Sequence, residues 1–387
     1  MNICIITPRY PYKNNMEFVF VKKLIDEWAK MGHRCVVITD FSWTTFLRNR
    51  IEYRPKHYRD EVVPGIYVDV YNPRYFTIKL FEKSFSFDLW LAKRAVEKQI
   101  KQTGIRFDFI YCHFFNSSYK VFRYSKKNSI PLFVATGESN LIQLGALKKP
   151  FPSFSKEDFK QYTNGVISVS SKNKNEAAEL GLVEKDKCKV FPNGTDLSVF
   201  RKLDKQECRM ALGFPGDVCI ISCVGFFCER KGQNRLLEAV KRLGKKDIKI
   251  IYLGKAAMLD SFILEGDEII FKGTVENKDL PTFLCASDFF CLPTRAEGCC
   301  NAVIEALACG LPVVSSNLPF NWDVLDETNS LMVDPNSIDE ISSAINKLYT
   351  DKELCNCLSA GALKKADGLS LHNRSESILN YIETKIF

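Results

Sequence analysis

The chain has 387 residues, 46% of them hydrophobic and 26% charged. It is too long for one compact core and too apolar for a disordered polymer, so two domains of roughly 150–200 residues are expected. No apolar run is long enough to span a bilayer, and 54 basic against 46 acidic residues leave a net charge of +8. That excess suits a nucleic acid, an anionic membrane surface or a phosphorylated substrate, and does not choose among them.

The first segment, MNICIITPRYPY, has a short apolar run and no basic leader, so it reads as a strand (3–7) rather than a signal peptide. The helical stretch 21–32 ends at Gly32, and strands are expected at 34–39, 107–113, 131–136, 165–170 and 189–194. Between 43 and 91 the pattern weakens, and aromatics alternate with Lys and Arg. Such a stretch is either an insertion with rings packed inward or an element lying at a membrane interface.

A charged break at 195–217 separates a second unit. Its expected elements are strands at 218–225, 248–254, 268–273, 288–294 and 312–316, with helices at 233–243, 279–287 and near 337–349. A helical tail over 374–387 could pack on either domain. Alternating strands and helices predict parallel sheets in α/β layers. The expected division is 1–195, 196–370 and a C-terminal helix 371–387.

Of the fifteen cysteines, none forms a C-x-x-C pair, and the four histidines form no ligand pair. Most cysteines lie in apolar runs, where a free thiol behaves as a small hydrophobe. The expectation is a reducing cytoplasm and no metal.

Residues 295–310 read RAEGCCNAVIEALACG. A helix is expected from about Asn301, as N-cap, to the stop at Gly310-Leu311-Pro312. The turn Glu297-Gly298-Cys299-Cys300 then delivers free amides at a helix N-terminus, an anion site by geometry and dipole. Glu297 projects from the turn and Glu305 lies about one turn inside. Carboxylates grip hydroxyls rather than phosphates, so a diphosphate on the amides of 299–301 with a sugar at each end would suit the pair. The bland alternative is a solvated helix face.

A second anion cradle occurs in VGFFCERKGQNRLLEAV (224–240). A strand ends at Gly225, the loop carries Arg230 and Lys231, and Gly232 opens a helix. There is neither a Walker A motif nor a G-x-G-x-x-G after a strand, which disfavours a dinucleotide cofactor. Taken singly, Arg230 and Lys231 could equally be solvated loop residues.

Together these motifs resemble the GT-B glycosyltransferases of family 4. The family's E-x7-E is matched by Glu297 and Glu305, its N-G-x-D-x-x-x-F by Asn193, Gly194, Asp196 and Phe200, and its V-G…K-G by Val224, Gly225, Lys231 and Gly232. The resemblance implies an α/β fold of two Rossmann-like domains facing a central cleft, with the C-terminal helix able to cross back to the first. It implies retaining transfer of a sugar from a UDP- or GDP-sugar to a glycan or lipid-linked acceptor, in cell-surface polysaccharide synthesis.

In that reading Lys231 neutralises the leaving diphosphate, which itself takes the acceptor's proton on the same face. Glu305 accepts from ribose hydroxyls and Glu297 from the transferred sugar. Arg230, Gly225, Gly298 and the amides of Cys299, Cys300 and Asn301 hold the donor, and Val275 lines the base pocket. No cofactor, metal or nucleic-acid partner is expected. A cytoplasmic enzyme on the anionic inner face of the membrane is.

The chain departs from the family in its first half. The loop 10–21 has no glycine, and Phe18 stands where one would align. Thr136-Gly137-Glu138-Ser139 replaces the family's HG-x-D-like segment, so its histidine is absent and Glu138 becomes the candidate acceptor-side or sugar contact, or else a turn residue. Phe226 stands where an arginine often follows the glycine, with Arg230 as its candidate substitute. These departures keep open a non-catalytic relative that binds a sugar nucleotide or glycan. Another reaction of the same fold is a third reading. A glycosidase is disfavoured, since its carboxylates must flank the bond.

Overall fold

The computed structural model describes residues 1–13, 15, 17–48, 51–77, 85–138, 156–255 and 264–386. Two compact units divide the chain: Met1–Phe191 with Ser375–Phe387, and Pro192–Arg374.

The first unit is built on strands β1 (Asn2–Ile6), β2 (Arg34–Ile38), β3 (Phe41–Ser42), β4 (His57–Val63), β5 (Ile66–Tyr71), β6 (Arg74–Tyr75), β7 (Phe109–His113), β8 (Leu132–Thr136), β9 (Gly165–Ser168) and β10 (Cys188–Val190). Eight of them form one sheet in the order β10-β9-β8-β7-β1-β2-β5-β4, while β3 and β6 pair separately. The large sheet is parallel except for the β4/β5 hairpin at its edge. Ile5 of β1 sits in register with Val37 on one side and Tyr111 on the other. β1, β7 and β8 are continuous apolar runs because helices cover both faces.

The texture expected to weaken at 43–91 resolves into the β4/β5 hairpin, β6 and a helix over Phe85–Gln102. β4 alternates exposed and half-buried residues, as an edge strand with one wet face does. Phe41, just before this region, is buried and Trp43 and Phe46 are half-buried, whereas Phe76, Phe87 and Trp90 are exposed, so its aromatics pack inward only in part. The tail forms the helix Leu371–Ile386, and Ile378, Leu379, Tyr381 and Ile382 join the core of the first unit around Trp28. Trp28 Nε1 donates to the carbonyl of Ser375 at 3.1 Å. From Ser375 onward the tail therefore belongs to the first unit.

The second unit carries β11 (Cys219–Val224), β12 (Ile248–Leu253), β13 (Ile269–Gly273), β14 (Phe289–Leu292), β15 (Val313–Ser316) and β16 (Ser330–Val333). Its parallel sheet runs β13-β12-β11-β14-β15-β16. Strand order reverses between β11 and β14, and the crevice beyond the carboxyl ends at such a reversal is where doubly wound sheets place their ligands. The corresponding reversal in the first unit lies between β1 and β7.

All fifteen cysteines are free thiols, and most are buried. No helix among the described residues is long and apolar enough to cross a membrane.

Candidate functional site

Loops leaving β11 and β14 meet at the reversal point of the second sheet. The β11 loop carries Arg230 and Lys231, and the β14 loop carries Thr294 to Cys300. Backbone fastens them: the Arg295 amide donates to the Arg230 carbonyl at 2.9 Å. Arg235, from the helix Gln233–Leu243, donates to the Pro293 carbonyl at 2.8 Å and to Glu229 at 3.0 Å. Arg295 joins the same Glu229 carboxylate at 2.9 Å.

Three side chains converge on one oxygen, Glu297 Oε1. Lys231 Nζ lies 2.8 Å away, Arg230 Nη1 2.6 Å, and the Thr294 hydroxyl donates at 3.0 Å. Burial pushes the Glu297 carboxyl up, but Lys231, Arg230 and the Thr294 hydroxyl outweigh it and hold the group below the usual carboxylate value. Burial likewise pushes Lys231 down; Cys300 and Glu297 more than offset this, and its ammonium is held more tightly than usual. Only 8% of Lys231 is exposed, so it is a desolvated, paired cation. The sequence motifs supply Lys231, Arg230 and Glu297 without linking them, and Thr294, the residue ending the predicted strand 288–294, carries no motif signal of its own.

Gly225 has φ 145°, and a Cβ there would stand 3.3 Å from Lys231 Cε. The position thus combines a backbone disfavoured for other residues with a close approach of the lysine stem. Beside it opens a cavity of about 330 Å³, lined by Gly225, Phe226, Gly254, Lys255 and Val275 among others. Val275 and Gly225 are thereby brought to one pocket. Phe226 is exposed, with Lys255 Nζ 5.9 Å from its ring centre.

The expected helix runs Asn301–Ala308, but Cys300 occupies the cap position and makes no side-chain cap bond. The expectation of Asn301 as N-cap is corrected: its side chain instead accepts from Asn193 Nδ2 at 2.8 Å. The same Nδ2 reaches the Cys299 carbonyl at 3.0 Å, and the Asn193 amide approaches Cys299 Sγ at 3.4 Å. Asn193 thus clamps the turn whose amides open the helix. A Cβ on neighbouring Gly194 would meet the Ser370 carbonyl at 2.9 Å, so glycine is required by close packing. Cys299 and Cys300 are buried, their thiols pushed up chiefly by burial, Cys299 to about 12. What they offer a ligand is backbone, as does Gly298 between Glu297 and the clamp. Glu305 lies half-buried within the helix, one turn in from its start.

Glu138 belongs to the first unit, just past β8. Its Oε2 accepts from the Thr136 hydroxyl at 2.6 Å and from the Gly137 amide at 2.9 Å, while Oε1 is buried with no hydrogen-bond partner among the described residues. Burial pushes this carboxyl up, and those bonds offset it only in part. Ser139 of that motif lies outside the described residues. At the reversal between β1 and β7, Phe18 and Phe114 both have left-handed backbones, φ 62° and 72°. Their rings stand 5.8 Å apart, and His113 lies 4.5 Å from Phe114 and 5.2 Å from Phe20. Phe18 keeps the conformation a glycine would favour, with a ring added.

Among the described residues no three or more His, Cys, Asp and Glu side chains are grouped to hold a metal ion.

The sequence profile described as Glycosyltransferase Family 4 matches residues 18–199, and that described as Glycosyl transferases group 1 matches 219–351. A Bacillus subtilis protein assigned to teichuronic acid biosynthesis as the glycosyltransferase TuaC is 28% identical over 359 residues, 90% of this chain and 89% of its own. The lipopolysaccharide core biosynthesis glycosyltransferase LpsE of Rhizobium meliloti is 31% identical over 38% of this chain and 44% of its own. Among solved structures, sucrose-phosphate synthase of Thermosynechococcus elongatus superposes with TM-score 0.76 at 17% identity, covering 99% of this chain and 98% of that one. Anabaena HepE, solved with UDP, gives 0.73 at 17%, covering 99% and 100%.

Proposed function

The chain belongs to the GT-B glycosyltransferases of family 4, and on that premise we propose that it moves a sugar from a nucleoside-diphosphate donor to a glycan or lipid-linked acceptor of the cell surface, with retention at the anomeric carbon. The observation that carries this reading is the convergence of Lys231 and Arg230 on Glu297 at the β11/β14 reversal, beside the pocket holding Val275. The base and ribose are assigned to that pocket, with Glu305 accepting from the ribose, and the diphosphate to the amides of Cys299, Cys300 and Asn301.

As the glycosidic bond breaks, negative charge grows on the leaving diphosphate. A desolvated, paired ammonium at Lys231 stabilises that charge more than it stabilises the ground state. Arg230 supplies a second cation to the same edge. Glu297 orients both and accepts from the transferred sugar. In a retaining reaction the acceptor attacks on the face the diphosphate leaves, and a departing phosphate oxygen takes the acceptor's proton. Glu138 and the aromatic group around Phe18 are assigned to the acceptor side. No metal takes part in this scheme.

UDP is the favoured nucleotide of the donor, because HepE was solved with UDP and with UDP-glucose; GDP is the other candidate. The relatives named for teichuronic acid and lipopolysaccharide core favour a cell-surface acceptor, and a lipid-linked one would place the enzyme on the cytoplasmic face of the membrane. A thermal-shift panel of UDP-, GDP- and ADP-sugars tests the donor: one base should raise Tm through mass action. No response to any sugar nucleotide would sink the proposal. Anomeric proton couplings of the product then decide retention.

A further inference from the structure

Outside the donor site, the first unit holds a second cavity of about 680 Å³ between β6 and the helix Phe85–Gln102. One stripe of that helix lines it, Trp90, Arg94, Lys98 and Lys101, and Arg74 and Phe76 close the other side. The stripe is graded. At its start Phe87 and Trp90 stack at 5.5 Å, with both rings about half exposed. Towards its end the lining is cationic. Phe76 is 60% exposed beside them.

Among the described residues little neutralises these cations. The cavity's carboxylate, Glu97, pairs with Lys93 at 3.7 Å. Among the described residues no carboxylate pairs with Arg74, Arg94, Lys98 or Lys101. Arg94 lies 4.7 Å from the ring centre of Trp90, and Arg74 3.8 Å from that of Phe41. Arg74 is held there without the full set of hydrogen bonds its guanidinium can make, since Nε and Nη1 have no acceptor among the described residues. A globular surface ordinarily mixes its charges and covers its large rings. Here exposed rings and cations that have no carboxylate partner among the described residues share one helical stripe.

We propose that this face docks on a bilayer containing anionic phospholipid, with the headgroup phosphates over Arg94, Lys98 and Lys101 and the rings of Phe76, Phe87 and Trp90 at headgroup depth. Tryptophan and phenylalanine suit that depth because the ring is apolar while the flanking groups stay hydrated. Clustered Lys and Arg draw the face to a negative leaflet within about one Debye length, ~10 Å. The inference deepens the proposed membrane-side function by assigning the residues that make the contact. It does not rest on the donor chemistry.

The test is flotation of the full chain with vesicles of phosphatidylcholine alone and of phosphatidylcholine mixed with phosphatidylglycerol. The wild-type chain should float with the mixed vesicles only, and raised chloride should release it. Lys98→Glu with Lys101→Glu should weaken binding about tenfold or more, and Trp90→Ala should weaken it while chloride still releases the remainder. Unchanged Tm and unchanged sugar-nucleotide binding in both variants show that the fold and the donor site survive. Absence of flotation with the mixed vesicles, or equal flotation of the charge-reversed variant, overturns the proposal. So does release by inorganic phosphate where chloride of equal ionic strength does not release, since the cavity would then take a soluble anion. Loss of donor binding in the wild-type chain would instead defeat the functional reading and leave the docking result standing.

Discussion

Lys231 Nζ rests 2.8 Å from Glu297 Oε1, at the point where the loops leaving β11 and β14 come together. The carboxylate of the E-x7-E motif therefore holds the cation of the other motif in place. A lysine stem that enters a nearly dry site alone would lose its proton or swing away. With Glu297 opposite, it stays charged and aimed along Gly225.

Replacing Lys231 by Ala should lower turnover at saturating donor by about 10²-fold or more, as loss of a transition-state charge partner does. Lys231→Arg should recover only part of this, because a planar guanidinium cannot occupy the ammonium's place beside Gly225. Steady-state kcat on a nucleotide sugar is the measurement; unchanged turnover of the alanine variant would remove Lys231 from the mechanism.

The ion pair should also be visible in stability. Glu297 lies below its ordinary value of 4.5, so its contribution is present above that pH and is lost as pH falls through the folded value. Lys231 lies above its ordinary 10.5, so its contribution is complete below that pH and is lost as pH rises through the folded value. Glu297→Gln should therefore cost about 2 kcal/mol across neutral pH, with the difference shrinking at the acid end. Chemical denaturation of both proteins over a pH series decides it, and a constant gap down to acid would contradict the pairing.

Glu138 has the opposite sign. Burial raises its carboxyl above 4.5, so ionising it works against folding as pH climbs from that value through the folded one. Glu138→Gln should melt higher than the wild-type chain at pH above neutral, and the advantage should fade in acid. If Glu138 also touches substrate, the same variant should turn over more slowly. A variant that is no more stable in alkali would show that the native charge is compensated.

At Phe18 two truncations separate ring from backbone. Both Phe18→Gly and Phe18→Ala remove the aromatic contacts, but only alanine retains the strain of φ 62°. The glycine variant should be the more stable by about 1 kcal/mol. Equal or reversed stabilities would mean that the left-handed turn before the helix Val19–Lys30 does not persist in solution.

Much of this is legible in the sequence alone. Buried parallel strands such as Cys219–Val224 and Phe289–Leu292 announce themselves as apolar runs closed by turn residues. The two-unit α/β order follows from their alternation with helices. The helix Phe85–Gln102 was not legible, because its exposed stripe carries Phe87 and Trp90 where a soluble helix would be polar. The hairpin strand β4 escaped for a related reason: an edge strand buries too little to stand out.

Sequence by itself determined which chemical groups are available: two glutamates around a helix start, two cations in a loop after a strand, and an asparagine-glycine pair between the halves. Local spacing suffices for that, because helix starts and strand ends are set by neighbouring residues. Only the tertiary structure decided that Arg230, 67 residues before Glu297, donates to the same Glu297 oxygen as Lys231 and Thr294, and that Asn193 grips a turn 106 residues away. Those meetings depend on β11 lying beside β14, and strand order is fixed by the packing of the whole sheet rather than by any segment of it.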